Sequence, residues 1–299
     1  MKSTLNWRGS FVALVTPFTK KGRIDSRSLQ ALVRFHIEEG TNGIVVCGTT
    51  GEASTLSHSE HIDVIKITVE AVEDNIPIIA GTGSNDTKEA IALTVAAEKV
   101  GADGILLVSP YYNRPTQEGL RQHFAAVMER TKLPVCIYNV PLRTGVNIDP
   151  ETVEWLVDKC ALSAIKEASG DLVQIGEIIR RTQPLLDVLS GDDMLTLPIM
   201  SLGGTGVISV TANVLPYKIR RMVESYEMGK VWDARRYHYE LHKITRALFL
   251  EPNPVPVKTA LAIMGKIKPV FRLPLCRMNP TNIVLLKNEL KSQSLLPEK

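Results

Sequence analysis

Eight short apolar runs rich in β-branched residues recur along the first two thirds of the chain, at 11–15, 44–47, 78–80, 105–108, 135–138, 164–165, 188–189 and 207–210. Their starts lie 19 to 34 residues apart, too far for hairpins and far enough for a helical crossover, so the strands are expected to run parallel. The segments between them carry helix punctuation. Asp25 precedes the stripe Leu29, Leu32, Val33, His36, and Gly40 stops it. Ser57 and Glu60 form a capping-box pair ahead of Ile62, Ile65, Val69 and Val72, and Asp149-Pro150 opens a helix holding Val153, Leu156 and Val157. An open doubly wound α/β sheet shares this grammar, but eight regular units over about 210 residues match a (β/α)8 TIM barrel better.

After residue 210 the alternation ends. Residues 217–228, 232–249 and 257–264 read as helices, interrupted at Glu251-Pro252-Asn253-Pro254-Val255-Pro256. The first should be the eighth barrel helix, which divides the chain into a barrel at 1–230 and a C-terminal helical appendage at 231–299. Lys plus Arg number 35 against 32 Asp plus Glu, a net charge of +3. Such a balance gives no field to attract nucleic acid or an anionic membrane, so the partner is expected to be a small molecule. No apolar run nears the roughly 18 residues of a membrane span. Residues 1–11 have no apolar core behind a basic flank, and Cys47, Cys136, Cys160 and Cys276 show no CxxC spacing. Both features suit a reducing, cytoplasmic setting.

In a parallel barrel, chemistry gathers at the C-terminal ends of the strands. Those ends carry Gly48-Thr49-Thr50-Gly51-Glu52, Ser109-Pro110-Tyr111-Tyr112-Asn113, Tyr138-Asn139-Val140-Pro141 and Lys166-Glu167-Ala168-Ser169-Gly170. Neither a carboxylate pair nor a histidine set for a metal closes them, which points to amine chemistry. Ala164, Lys166 and Ala168 share one strand face and Glu167 takes the other, so the amine stands among small apolar neighbours and loses hydration. A neutral amine there attacks a carbonyl and forms a Schiff base; the competing reading is a strand-end lysine that snorkels to solvent or pairs with a carboxylate. Tyr138 ends the preceding strand beside it, either a proton relay or a core tyrosine. Thr49 and Thr50 supply hydroxyls that suit a carboxylate, unless the stretch is a plain glycine turn. Arg143 puts a guanidinium in the loop over the barrel mouth, to clamp a second carboxylate or to stand in solvent. Gly203-Gly204-Thr205-Gly206 lacks a basic companion and reads as close backbone packing. His58 and His61, at i and i+3, have only Glu60 and Asp63 nearby as further ligands, so they read as surface histidines and no metal is expected.

Taken together, these motifs, with Arg143-Thr144-Gly145, Gly206-Val207-Ile208-Ser209 and Pro254-Val255-Pro256-Val257-Lys258, resemble the dihydrodipicolinate synthase family, within the N-acetylneuraminate lyase group of class I aldolases. The resemblance covers nearly the whole chain. It implies that Lys166 forms a Schiff base with pyruvate, with no separate cofactor, and that Tyr138 relays protons. It further implies that Thr49 links Tyr138 to a Tyr112 taken from a neighbouring subunit. Thr49 and Thr50 would hold the pyruvate carboxylate, Arg143 that of L-aspartate 4-semialdehyde, and Gly191 and Ile208 would line the pocket. The product would be the hydroxy-tetrahydrodipicolinate of the diaminopimelate route to lysine. A feedback site for lysine would comprise Ala53, Ser54, His58, His61, Asn85, Glu89 and Tyr111, at a subunit interface of a homotetramer built as a dimer of dimers. The alternatives are an aldolase or lyase of the same group acting on N-acetylneuraminate or 2-keto-3-deoxy-sugar acids, a metal-dependent barrel enzyme, and a non-catalytic metabolite-binding barrel. The sugar lyases lack the Arg-Thr-Gly pattern of Arg143.

Overall fold

The computed structural model describes residues 5–296. Its strands are β1 (Gly9–Ala13), β2 (Gly43–Val46), β3 (Ile78–Gly81), β4 (Gly104–Val108), β5 (Val135–Asn139), β6 (Ala164–Glu167), β7 (Asp187–Ser190) and β8 (Gly206–Ser209). They pair in parallel in chain order, and β8 returns to β1 to close the barrel. All eight expected runs are strands, with ends displaced by no more than a few residues. The closing pair needs glycine: Gly206 has φ +156° and lies opposite Gly9, and a Cβ on it would sit 2.0 Å from the Gly9 carbonyl oxygen. Close packing was the expected role of this glycine run.

The helices are α1 (Ser26–Glu38), α2 (His58–Val72), α3 (Thr87–Lys99), α4 (Gln117–Met128), α5 (Pro141–Thr144), α6 (Pro150–Cys160), α7 (Leu172–Thr182), α8 (Thr196–Ser201), α9 (Pro216–Glu227), α10 (Val231–Ala247), α11 (Val255–Ile263) and α12 (Pro280–Ser292). The expected caps form: Asp25 accepts from the Ser28 N–H, and Ser57 and Glu60 make a complete capping box. The shortest strand spacing leaves α8 only six residues. The one-turn α5 and the last helix, α12, were not expected; α12 is capped by Asn279 and packs on α10 and α11. Among the described residues no helix is long and apolar enough to cross a membrane.

Alternation along the strands separates two cores. Phe11, Ala13, Val45, Ile79, Leu106, Cys136, Tyr138, Ala164, Leu189 and Ile208 fill the barrel interior. Val12, Ile44, Ile78, Ile105, Ile137, Ile165 and Val207 face the helices.

The C-terminal part is fastened to the barrel mouth by charge. Lys258, on α11, is fully buried and its Nζ donates to Glu52, also fully buried, 206 positions earlier. Burial pulls the Lys258 ammonium below its ordinary value, and the Glu52 carboxylate opposes that pull. The ammonium also lies 4.3 Å from the Phe18 ring centroid. Arg272 clasps Glu60 with two hydrogen bonds, at 2.6 and 2.7 Å, and donates to the Thr55 carbonyl. Its guanidinium holds the Glu60 carboxyl down at about 2. Replacing Lys258 by Met should leave Glu52 buried without its partner and cost about 3–5 kcal/mol. Urea denaturation midpoints check this, and Glu52→Gln added to Lys258→Met should recover most of the loss.

Candidate active site

The site stands on two adjacent strands. In the β5–β6 register Tyr138 lies opposite Lys166, and the Lys166 Nζ rests 4.1 Å from the centroid of the Tyr138 ring. Lys166 and Tyr138 are 6% and 7% exposed, so both groups are almost wholly removed from water at the barrel mouth. Burial pushes the Lys166 amine down to about 8; the nearby Arg143 charge adds to this, and Asp193 opposes it. Burial raises the Tyr138 phenol to about 12, although Arg143 acts in the other direction. At neutral pH the phenol keeps its proton while a useful fraction of the amine has lost its own.

Glu167 points to the opposite face, as expected, and is satisfied there. Its carboxylate accepts from Asn139 Nδ2 at 2.8 Å and from Ser169 Oγ at 2.7 Å. The sequence reading missed a different carboxylate, Asp193. Its Oδ2 accepts from the Val210 and Thr211 N–H groups and from Thr211 Oγ1, at 2.9 to 3.0 Å, tying the segment after β7 to the end of β8. Nothing in the local pattern marks it, because its partners lie 17 and 18 positions away.

Gly191 follows β7 beside Lys166. A Cβ there would lie 3.0 Å from both Lys166 Cε and Ala168 Cβ, so its hydrogen atom makes the room in which the lysine stem lies. Ile208 is fully buried in the interior cluster with Tyr138 and Leu189.

The turn after β2 is held from below: Thr16 Oγ1 donates to the Gly51 carbonyl at 2.6 Å, and Glu52 adopts a left-handed φ of +56° beside Lys258. Thr50 is buried and its Oγ1 accepts from Asn253 Nδ2 at 2.9 Å, whereas Thr49 is half-buried. Among the described residues no hydrogen bond joins Thr49 to Tyr138. Tyr112, with φ +72°, is 91% exposed, so this single chain does not bring it into the Tyr138 cluster. Arg143 lies on the one-turn α5 rather than in a loop, and its Nη2 donates to the Asn253 carbonyl at 3.4 Å.

The second expected group also assembles in part. Ala53 and Ser54 form a short 3-10 turn ahead of α2. His58 Nε2 lies 2.5 Å from Glu89 Oε1, Ser84 donates to the same carboxylate, and Asn85 Nδ2 donates to the Tyr111 carbonyl at 3.2 Å. The Ser84 and His58 hydrogen bonds hold the Glu89 carboxyl below its usual range. His61 corrects the surface reading: it is 5% exposed, its Nε2 lies 2.7 Å from the Gly81 carbonyl, and burial depresses its pKa. It falls on the inward face of α2, against the carbonyl of the last residue of β3.

A model of the dihydrodipicolinate synthetase family matches residues 6–293. The 4-hydroxy-tetrahydrodipicolinate synthase of Thermodesulfovibrio yellowstonii is 53% identical over 97% of this chain and 99% of that protein. Among solved structures, the chloride-inhibited dihydrodipicolinate synthase of Acinetobacter baumannii complexed with pyruvate is 45% identical, with a TM-score of 0.95 over 97% of this chain and all of that one. The Cyanidioschyzon merolae enzyme with lysine bound is 40% identical, with a TM-score of 0.94 over 98% of this chain and all of that one.

The Gly191 geometry yields a direct test. Gly191→Ala should leave the unfolding midpoint near that of the parent while displacing the Lys166 stem. If the Lys166 amine is the reacting group, such a displacement is expected to lower kcat/KM about 100-fold.

Proposed function

The chain belongs to the dihydrodipicolinate synthetase family, and from that premise we propose how its barrel mouth performs the reaction. Its activity is that of a 4-hydroxy-tetrahydrodipicolinate synthase, a lyase that joins pyruvate to L-aspartate 4-semialdehyde in lysine biosynthesis. The observation that carries the residue assignment is the dehydrated Lys166 amine seated over the Tyr138 ring.

Neutral Lys166 attacks the keto carbon of pyruvate, and Tyr138 passes the protons by which the carbinolamine loses water to become an imine. Loss of a methyl proton turns the imine into an enamine, whose carbon attacks the aldehyde of the second substrate. The substrate's own amine then adds to the imine carbon and displaces Lys166, closing the hydroxy-tetrahydrodipicolinate ring. Thr49 and Thr50 hold the pyruvate carboxylate by hydroxyl donation, leaving no full cation beside the reacting amine. Arg143 holds the carboxylate of the semialdehyde. Gly191 and Ile208 shape the pocket. No separate cofactor enters this scheme.

Tyr112 acts in trans, completing the Thr49–Tyr138 relay of a neighbouring subunit in a dimer of dimers. Its exposure and left-handed backbone support that role, since a large aromatic in such a conformation gains nothing within its own chain. Lysine binds beside α2, where Glu89 takes its ammonium, Asn85 and Tyr111 its carboxylate, and Ala53, Ser54, His58 and His61 complete the walls. The four free cysteines, two of them buried, suit a cytoplasmic enzyme.

Borohydride reduction in the presence of pyruvate should add one pyruvate-derived group at Lys166, located by peptide mapping, and none in Lys166→Ala. An unmodified parent enzyme would refute the Schiff-base assignment. The rate of adduct formation should fall tenfold per pH unit below about pH 8, as protonation removes the nucleophile. Tyr138→Phe should lower kcat by about 100- to 10,000-fold while leaving the unfolding midpoint nearly unchanged. Millimolar lysine should raise the unfolding temperature of the parent and not of Glu89→Gln. Equal responses would remove Glu89 from that site.

A further inference from the structure

Asn253 lies between the barrel and α11 and touches both groups assigned to substrate carboxylates. Its side-chain Nδ2 donates to Thr50 Oγ1 at 2.9 Å, and its backbone carbonyl accepts from Arg143 Nη2 at 3.4 Å. These partners are 203 and 110 positions away in the chain. Asn253 is 7% exposed and Thr50 3%, so water does not compete freely for either group. The amide's own Oδ1 is buried with no partner among the described residues. The side chain is therefore not part of a saturated structural network; among the described residues its one side-chain hydrogen bond goes to Thr50.

We propose that Asn253 is a positioning residue for the condensation, setting the direction of the Thr50 hydroxyl proton through its amide and the place of the Arg143 guanidinium through its carbonyl. The inference rests on the assignment of Thr50 and Arg143 to the two carboxylates. A hydroxyl carries a single proton and two lone pairs. With one lone pair occupied by the Asn253 N–H, the Thr50 proton is free to be donated outward, which is the polarity a carboxylate requires. An acceptor at position 253 would draw that proton to itself and turn the Thr50 lone pairs toward the incoming anion. The backbone carbonyl acts on Arg143 whatever side chain stands at 253. Side-chain changes should therefore act on pyruvate and spare the semialdehyde.

The test compares the parent, Asn253→Asp, Asn253→Ala, Thr50→Val and the two combined variants, in steady-state kinetics and in borohydride trapping with pyruvate. Asp is nearly isosteric but an acceptor only, so Asn253→Asp should raise the KM for pyruvate about tenfold, with kcat and the KM for the semialdehyde within about threefold. Asn253→Ala releases the Thr50 hydroxyl without adding charge and should raise the pyruvate KM about threefold, which keeps the test valid if the Asp variant fails to fold. In the Thr50→Val background either change should move the pyruvate KM by less than about twofold, because the group it acts through is gone. A parent-like pyruvate KM in both single variants would overturn the proposal. So would an undiminished rise in the Thr50→Val background, which would mark simple charge repulsion, or a parallel loss of kcat and both KM values, which would mark structural damage. Failure of the parent itself to take a pyruvate adduct at Lys166 would instead overturn the underlying assignment of function, and this control separates the two failures.

Discussion

Everything in this site follows from the dehydration of one amine. A closed parallel sheet has no edge, and side chains at alternate positions must point into its interior. Ala164 and Lys166 occupy the inward positions of β6, with Ala168 next on the same side, and Gly191 leaves open the volume that a methyl group would take. The ammonium form thus meets small carbon side chains and an aromatic ring where it needs water. Glu167, one residue on, is displaced to the opposite face and held by Asn139 and Ser169. A slip of one residue in the β5–β6 register would put the carboxylate beside Tyr138 in place of the amine, so strand pairing itself specifies which side chain meets the Tyr138 ring.

The mouth of the barrel is built from segments remote in the chain. The turn after β2 carries both threonines and ends in Glu52, whose left-handed backbone is fastened by Lys258 of α11. Arg272 binds the next acidic residue, Glu60, and a carbonyl of the intervening turn. The C-terminal helices are thus tied to the turn after β2 by hydrogen-bonded charges rather than by apolar contact alone. Buried charges demand complete partnering, and that demand makes the seating of this turn geometrically unique.

Much of the barrel was legible in the sequence because its signals are local. Short β-branched runs, capping residues and crossover spacing each act within a few positions, and all eight strands and the main crossover helices answer to them. Lys166 and Tyr138 were legible for the same reason, since alternation assigns their face and chain order makes their strands neighbours. The misses share a different cause. Asn253, Lys258, Asp193 and Arg272 acquire meaning only through partners 17 to 250 positions away, and no periodicity encodes such a pairing. His61 was misread as exposed because a histidine at i+3 from another on a polar first turn looks solvated until β3 is placed beneath it. The last helix left a readable trace in Asn279-Pro280 ahead of Ile283, Leu286 and Leu290, a cap and a stripe of the kind used elsewhere in the chain.

The proton balance of the site shows why two neighbouring groups with opposite needs can share one pocket. With its amine at about 8, roughly one Lys166 in ten is neutral at pH 7, against roughly one in 3,000 at an ordinary lysine value. The same burial drives the phenol upward to about 12, so the Tyr138 proton stays in place beside that free amine. Desolvation disfavours whichever form is charged, and the charged forms are the acid of lysine and the base of tyrosine. A single physical cause therefore sets a partly neutral amine and a protonated phenol side by side. Arg143 and Asp193 act in opposite senses on the amine, one making it easier to deprotonate and the other harder. The amine's pKa is thus set chiefly by burial, while Asp193 also holds the end of β8 and Arg143 reaches the Asn253 carbonyl.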